Sequence, residues 1–496
     1  MKIREAARLM RASFADGAGD EFFDKEITGF SIDSRAVATG ELFFALSPAD
    51  YAGKSFSATH FTDAHSFIPQ AFASGAASVV ARRERVAADE ALQPYASRLL
   101  LVDDGIEALQ MLARGVVESW GRKVVGITGS AGKTTAKDLT AHLLSHAGHR
   151  VLRTKKNFNN ELGVPLSILQ METAGARPAN FDVAVLEMGM SVPGEIARLC
   201  KIASPDISVV LIVAPVHLEF MGSIEAIARG KAQLVEGLKP GGIAVLNADD
   251  EYVAAMRDKH TTGQTLTFGI AGEADVSASR IESTTLGLTR FRLRTPHGEA
   301  DAELPLPGRH NLMNALAASA VAACFEMKPE EIAAALKTAA PSEMRGEVLR
   351  FAAGFTVVDD SYNSNPRSLL SMAQSVAESG GTEALTEDRR RIVLAGEMLE
   401  LGAEGARMHR EAGQEIAGMG VDVLWGVRGL ARELVEGARA AGMSAEATQF
   451  FETSEDAARA LVTEVREGDL LLVKGSRGVH MEKVVEQLRE TYTLKD

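Results

Sequence analysis

The sequence predicts an α/β protein of three domains: a small mixed domain over 1–119, a central parallel-sheet domain over 120–344, and a second α/β domain over 345–496. Three observations predict it. The chain has 496 residues, which corresponds to roughly three domains at ~150 residues each. Apolar strand-like segments alternate with amphipathic helical ones after Lys123, and again after Arg345, which is the texture of parallel sheets. Hydrophobic residues make up 46% and charged residues 24%. Large cores can form, and wholesale disorder is excluded.

The elements follow in order. The first region holds short segments at 42–46, 76–81 and 99–102, with a loop of small residues and His between the first two. The central region has strand-like runs at 124–128, 183–187, 207–213 and 243–247, each with polar residues at its C-terminal end. An Ala-rich stretch at 311–340 reads as helical. The last region has strand-like runs at 356–359, 392–394, 421–425 and 470–473. The acidic, Gly-containing stretch 378–391 reads as a surface connection.

Composition narrows function. Lys+Arg is 53 and Asp+Glu is 67, so the net charge is −14. A dedicated nucleic-acid binder normally has a basic excess. Anionic ligands remain open, because a few amides and cations can hold a phosphate. Two cysteines, Cys200 and Cys324, build no disulfide framework and point to a reduced, cytoplasmic setting. The N-terminus lacks a secretory core. The most apolar run, 207–216, is too short for a membrane span of ~20 residues.

The sharpest local signal is Gly126-Ile-Thr-Gly-Ser-Ala-Gly-Lys-Thr-Thr135, between a strand and a helix at about 136–146. Its glycines let Gly129, Ser130, Ala131 and Gly132 turn their amides inward, forming an anion nest at a helix N-terminus. Lys133 suits β- and γ-phosphate charge, Thr134 suits Mg²⁺, and Thr135 continues the loop. The strict phosphate-loop spacing asks for Gly where this chain has Ile127. An ordinary Gly-rich turn explains Gly-Lys-Thr-Thr poorly. In doubly wound sheets, ligands sit beyond the C-terminal strand ends. That rule puts Glu187 and His217 near the same edge. Each is reasonable as a Mg²⁺ ligand, and each is weak alone. Lys231, inside a helix-like 224–238, reads by itself as a solvated surface cation. No Ser or Cys triad is evident.

Longer blocks then carry a family resemblance. Thr128–Thr135, Asn157-Phe-Asn-Asn-Glu161 with Gly163-Val-Pro165, Glu187-Met-Gly-Met190, His217-Leu-Glu219, Gly308-Arg-His-Asn-Leu-Met-Asn314 and Asp359-Asp-Ser-Tyr-Asn-Ser-Asn-Pro366 occur in one order over most of the chain. In these the chain resembles the Mur ligases, ATP-dependent amide-forming enzymes of peptidoglycan synthesis. The resemblance implies a UDP-binding first domain, a central ATPase domain and a Rossmann-like third domain. With Gly396–Gly402 and Lys474-Gly-Ser-Arg477, it is greatest to the member that joins D-alanyl-D-alanine to UDP-N-acetylmuramoyl-tripeptide. It implies ATP, two Mg²⁺ ions, and a Lys231 carbamylated by CO₂. Thr134 and Glu187 are then ligands of one ion, and His217 with modified Lys231 of the other. Asn311 and Asn314 are expected near adenine. Arg345 is expected at the γ-phosphate, and Asp360 facing the nucleotide. Ser34 and Arg35, in Ile32-Asp-Ser-Arg35, are expected near the uridine diphosphate. Asn159, Asn160, Tyr362, Asn363 and Asn365 are expected at the substrate. A monomer is implied.

The chain departs from the family at Ser47–Gly53, where the run is expanded, at Ala64, and at Lys156 and Gly230. Two other readings compete. A sibling ligase adding diaminopimelate or lysine to a UDP-muramoyl-dipeptide is disfavoured by the third-domain blocks. A non-catalytic sensor of UDP-precursors is disfavoured because Lys133, Thr134, Glu187, His217 and Lys231 are all present. The implied chemistry activates a carboxylate as an acyl phosphate, which an amine then attacks. Asp360, His409 or phosphate are the candidates for the base.

Overall fold

The computed structural model describes residues 1–14, 19–52, 54, 62–155, 157–216, 218–259, 263–285, 287–378 and 389–495. His217, Lys156 and most of the 378–391 connection lie outside them.

Three sheets form. The first has the order Ser13–Phe14, Leu99–Val102, Ser78–Arg82, Glu41–Phe44, Gly29–Ser31, parallel except for its first strand. The central sheet has nine strands. Its parallel part runs Gln264–Gly269, Ile243–Asn247, Ile207–Val210, Lys123–Thr128, Val183–Glu187, Val151–Arg153. β-Branched and apolar residues fill these strands because both faces are covered by other elements. The third sheet runs Glu347–Arg350, Thr356–Asp360, Leu470–Lys474, Arg391–Gly396, Val423–Val427, Thr448–Phe451, parallel after its first strand.

Several expectations need correction. The central sheet does not stay parallel. Val276–Thr285, Leu288–Thr295 and Gly298–Leu304 add an antiparallel meander at its edge. Leu288–Thr295 and Gly298–Leu304 alternate largely between buried and exposed residues, the period-two pattern of a half-solvated sheet. The Ala-rich stretch is two helices, Arg309–Ala323 and Pro329–Leu336. Glu326 takes a positive φ of 61°, and Pro329 then starts the second helix, where its missing N–H costs nothing. The strand expected to reach 213 ends at Val210. Beyond it, Ile212 and Ala214 bond to the phosphate loop instead.

The first and central regions share a core. One buried cluster runs from Met1 through Trp120 to Met256. Helix Gly105–Trp120 packs at this junction, and the Trp120 indole N–H donates to the Phe181 carbonyl at 3.1 Å. The third region has its own buried clusters. Among the described residues no helix is long and apolar enough to cross a membrane.

Candidate active site

The phosphate loop is built by backbone geometry. Strand Lys123–Thr128 enters and helix Lys133–His146 leaves. Gly132 sits at φ 81°, which an L side chain rarely adopts. A Cβ there would also collide with the Asn314 amide. Ser130 fixes the loop to the neighbouring strand end: its Oγ donates to the Ala214 carbonyl at 3.0 Å and accepts from the Ala214 amide at 2.9 Å. Lys133 donates to the Gly129 carbonyl at 2.9 Å.

Register aligns the next groups. Ile127 pairs with Glu187 across adjacent parallel strands. Glu187 is 2% exposed. One carboxylate oxygen accepts from the Thr134 hydroxyl at 2.8 Å, and the other from the Asn159 amide at 2.7 Å. Its backbone N–H is held by Thr154. A carboxylate and a hydroxyl in contact form an all-oxygen donor pair, which suits a hard divalent cation.

Lys231 overturns the surface-cation reading. It is 2% exposed, on helix Ile224–Glu236. No hydrogen bond or ion pair to its ammonium occurs among the described residues. Burial, and then the Lys133 charge, push its pKa well below the usual lysine value. Burial also lowers Lys133, with Glu187 opposing and Arg345 adding to the shift.

The third domain supplies the opposite wall. Asp360 and Lys474 end adjacent parallel strands in register. The Lys474 ammonium reaches the Asp360 carboxylate at 2.5 Å and the Asn363 carbonyl at 2.9 Å. Arg345 stands with its guanidinium 4.1 Å from the centre of the Tyr362 ring. Asn311 donates to the Pro307 carbonyl, and Asn314 lies beside it against Gly132. His310 bonds Ser371 at 3.1 Å, and burial holds its imidazole down at about 4.

These walls enclose a cleft of about 630 Å³. Lys133, Thr134, Thr135, Asn159, Glu187, Asn311, Asn314, Arg345, Asp360, Tyr362, Asn363 and Asn365 line it, with Ser130, Ala131 and Gly132. Its lining carries Lys133, Arg309, Arg345, Arg367, Lys474 and Arg477 against Glu187, Asp249, Asp360 and Glu400. The site is therefore locally cationic within a chain of net charge −14, as a polyphosphate requires.

Other expected residues lie elsewhere. Ser34 and Arg35 do not line the cleft; Arg35 is exposed and paired to Asp33 at 2.7 Å. Asn160 turns its oxygen onto the Leu162 and Gly163 amides. Lys231 is buried outside the cleft lining. His409 is unsuited as a base. It is fully buried, its Nδ1–H donates to the Gly405 carbonyl at 2.7 Å, and its Nε2 accepts from the Met398 amide at 2.9 Å. Sequence reasoning gave Lys474, Arg477 and His310 no role, though all three stand in quoted blocks. The strand-end rule that selected Glu187 selects Lys474 equally well.

Comparison with known proteins agrees with this architecture. Residues 127–322 match the Mur ligase middle domain, and 344–477 match the Mur ligase glutamate ligase domain. A UDP-N-acetylmuramoyl-tripeptide–D-alanyl-D-alanine ligase of Bacillus subtilis (strain 168) is 32% identical over 489 residues, covering 99% of this chain and 98% of the relative. A crystal structure of MurF from Acinetobacter baumannii matches with a TM-score of 0.80 at 28% identity, over 99% of this chain and 98% of that one. The MurF ligase of Thermotoga maritima in complex with ADP matches with a TM-score of 0.77 at 28% identity, over 95% and 99%. The chain belongs to the Mur ligase family.

Proposed function

We propose that this chain joins D-alanyl-D-alanine to UDP-N-acetylmuramoyl-tripeptide with ATP, giving the UDP-linked pentapeptide, ADP and phosphate. One observation carries the reading. A phosphate loop, an all-oxygen Thr134–Glu187 pair and the third-domain groups Arg345, Asp360 and Lys474 line one cleft. The full-length likeness to a ligase of this name, and to a relative crystallised with ADP, supports it.

The division of labour follows. Residues 1–119 hold the UDP-substrate, with Ser34 and Arg35 toward the diphosphate. Residues 120–344 bind ATP through the loop, Asn311 and Asn314. Residues 345–496 bring the dipeptide, with Asn363 and Asn365 toward it, and Gly346, at φ 78°, serves as the hinge. The tripeptide carboxylate attacks the γ-phosphorus, and ADP leaves. The dipeptide amine then attacks the acyl carbon, and phosphate leaves. Lys133 and Arg345 offset the anionic repulsion of the first step. Closure of the cleft keeps water from the acyl phosphate.

The proposed reaction uses two Mg²⁺ ions, and the Thr134–Glu187 oxygens fit one of them. Thr134 and Glu187 would hold one; His217 and a carbamylated Lys231 would hold the other. Bound there, they would neutralise phosphate charge. Among the described residues no three His, Cys, Asp or Glu side chains converge as a metal site. In this reading Thr134 would supply a hydroxyl and modified Lys231 a carbamate oxygen, with water and phosphate oxygens filling the remaining positions. A buried lysine driven toward its neutral amine is the form that reacts with CO₂. The enzyme acts as a cytoplasmic monomer in this reading.

The test is to incubate protein with ATP, Mg²⁺, D-alanyl-D-alanine and each UDP-muramoyl-tripeptide, in diaminopimelate and lysine forms. Phosphate release should require both acceptor and dipeptide, and the product should be heavier by one dipeptide less water. Turnover only with a single amino acid and a shorter UDP-peptide would reject this assignment in favour of a sibling.

A further inference from the structure

We propose that Tyr362 is a positioning residue for Arg345, its ring being the platform that aims the guanidinium at the γ-phosphate. The inference rests on the reading of Arg345 given above. It assigns Tyr362 to the nucleotide half of the reaction rather than to the dipeptide.

The backbone of Arg345 is pinned on both sides. The Tyr362 amide donates to the Met344 carbonyl at 3.2 Å, and the Gly346 amide donates to the Asp359 carbonyl at 2.8 Å. The Arg345 amide itself donates to Ser342 at 3.0 Å. Met344 and Gly346 both take positive φ, 58° and 78°, so the chain turns sharply on either side of Arg345. This fixes where the side chain starts and leaves its long stem free to rotate.

The guanidinium has one described neighbour that can hold it. No hydrogen bond or ion pair to it occurs among the described residues. The Tyr362 ring lies 4.1 Å below its central carbon, well inside the range of a cation–π contact. Arg477 approaches the same ring at 5.7 Å, but its charge is met by Glu482 at 3.1 Å. Of the two cations over this ring, Arg345 is thus the one with no carboxylate partner among the described residues, and both it and Tyr362 line the cleft. A carboxylate partner would compete with the phosphate for the guanidinium. An aromatic face orients the cation and leaves its N–H groups free to donate. Free hydrogen-bonding edges are what an incoming phosphoryl group needs.

ATP and ADP differ by the group Arg345 is assigned to, so their relative affinity reads the contact without turnover. Calorimetric titration with Mg²⁺-ATP and Mg²⁺-ADP is made on the wild type and on Arg345→Ala, Tyr362→Leu and Tyr362→Phe. Thermal melts confirm that each folds. Tyr362→Leu should lose about tenfold of the preference for ATP, the scale of one partly desolvated cation–π contact, and Arg345→Ala, which removes the phosphate contact itself, at least as much. ADP affinity should be unchanged, and Tyr362→Phe should keep the wild-type preference. If Tyr362→Leu keeps the preference while Arg345→Ala loses it, the inference is wrong, and a raised KM for D-alanyl-D-alanine would return Tyr362 to the substrate. Loss in Tyr362→Phe as well, or an equal fall in ADP affinity, also overturns the stacking role. An Arg345→Ala variant that keeps the preference rejects the assignment of Arg345 itself, and the inference falls with it.

Discussion

Lys231 and Lys474 have the same side chain and nearly the same burial, 2% and 3% exposed. Their surroundings are opposite. Lys474 meets the Asp360 carboxylate at 2.5 Å and a backbone carbonyl at 2.9 Å. Lys231 has no such partner among the described residues, and its charged neighbour is another lysine. Burial alone therefore does not say what a lysine is for. A compensated ammonium is part of the framework. An uncompensated one is driven toward the free amine, a nucleophile. The comparison separates an uncompensated lysine of the central domain, outside the cleft lining, from a paired lysine on the wall that the third domain supplies.

The largest effect expected from breaking this contrast is on activity. Lys231→Met should lower ligation by about a hundredfold to a thousandfold, the cost of removing one major electrostatic contact to the transition state. Its thermal stability should hold or rise, because a buried polar group with no hydrogen-bond partner among the described residues is replaced by an apolar one. A melting curve and a rate on the same sample check both. A substantially lower melting temperature would mean that Lys231 is a framework residue after all. The wild type, but not this variant, should also lose activity in CO₂-free buffer and regain it with bicarbonate.

Lys474→Met should do the reverse. It strands the Asp360 carboxylate, 13% exposed, and should cost about 3–5 kcal/mol of stability in denaturant titration. Adding Asp360→Asn should restore most of the loss. If the double variant is no more stable than the single, the pair is not the source of the effect.

A smaller effect sharpens the same lesson among carboxylates. Asp359 adjoins Asp360 and is 3% exposed, and among the described residues its carboxyl accepts only from Ser361, through the amide at 3.1 Å and the hydroxyl at 2.6 Å. Burial, partly offset by Ser361, raises its pKa to about 6. The folded pKa lies above the unfolded value of 3.8. The folded state therefore favours the protonated acid, and the associated stability is full below about pH 4 and lost as pH rises through about 6. Asp359→Asn keeps the acceptor oxygen without the charge. It should be more stable than the wild type by about 3 kcal/mol above pH 6, with the difference vanishing toward pH 4. A difference flat across that window would show that Asp359 does not titrate there.

The least expected effect is at His409. His409→Gln should leave the pH profile of ligation unmoved, because both ring nitrogens already serve backbone groups. A lost limb in that profile would restore it as a base.

Much of this was readable from the chain alone. The phosphate loop was, because glycine sterics, a lysine and a threonine act within ten consecutive residues. The parallel strands and the placing of Glu187 at a strand end were, because side-chain period and strand-end topology are local or nearly so. The antiparallel meander at 276–304 and the break of the Ala-rich stretch before Pro329 are not legible in composition. There, edge position and a single positive φ decided between elements that composition leaves equal. Whether a lysine is compensated depends on residues far away in sequence. Asp360 reaches Lys474 across 114 positions, and Thr134 reaches Glu187 across 53. The cationic cleft, the buried state of Lys231, the occupied nitrogens of His409 and the Tyr362 platform beneath Arg345 were decided only by tertiary packing. Residue identity sets which charges exist, while desolvation and pairing, which set what they can do, arise only once distant strands are brought side by side.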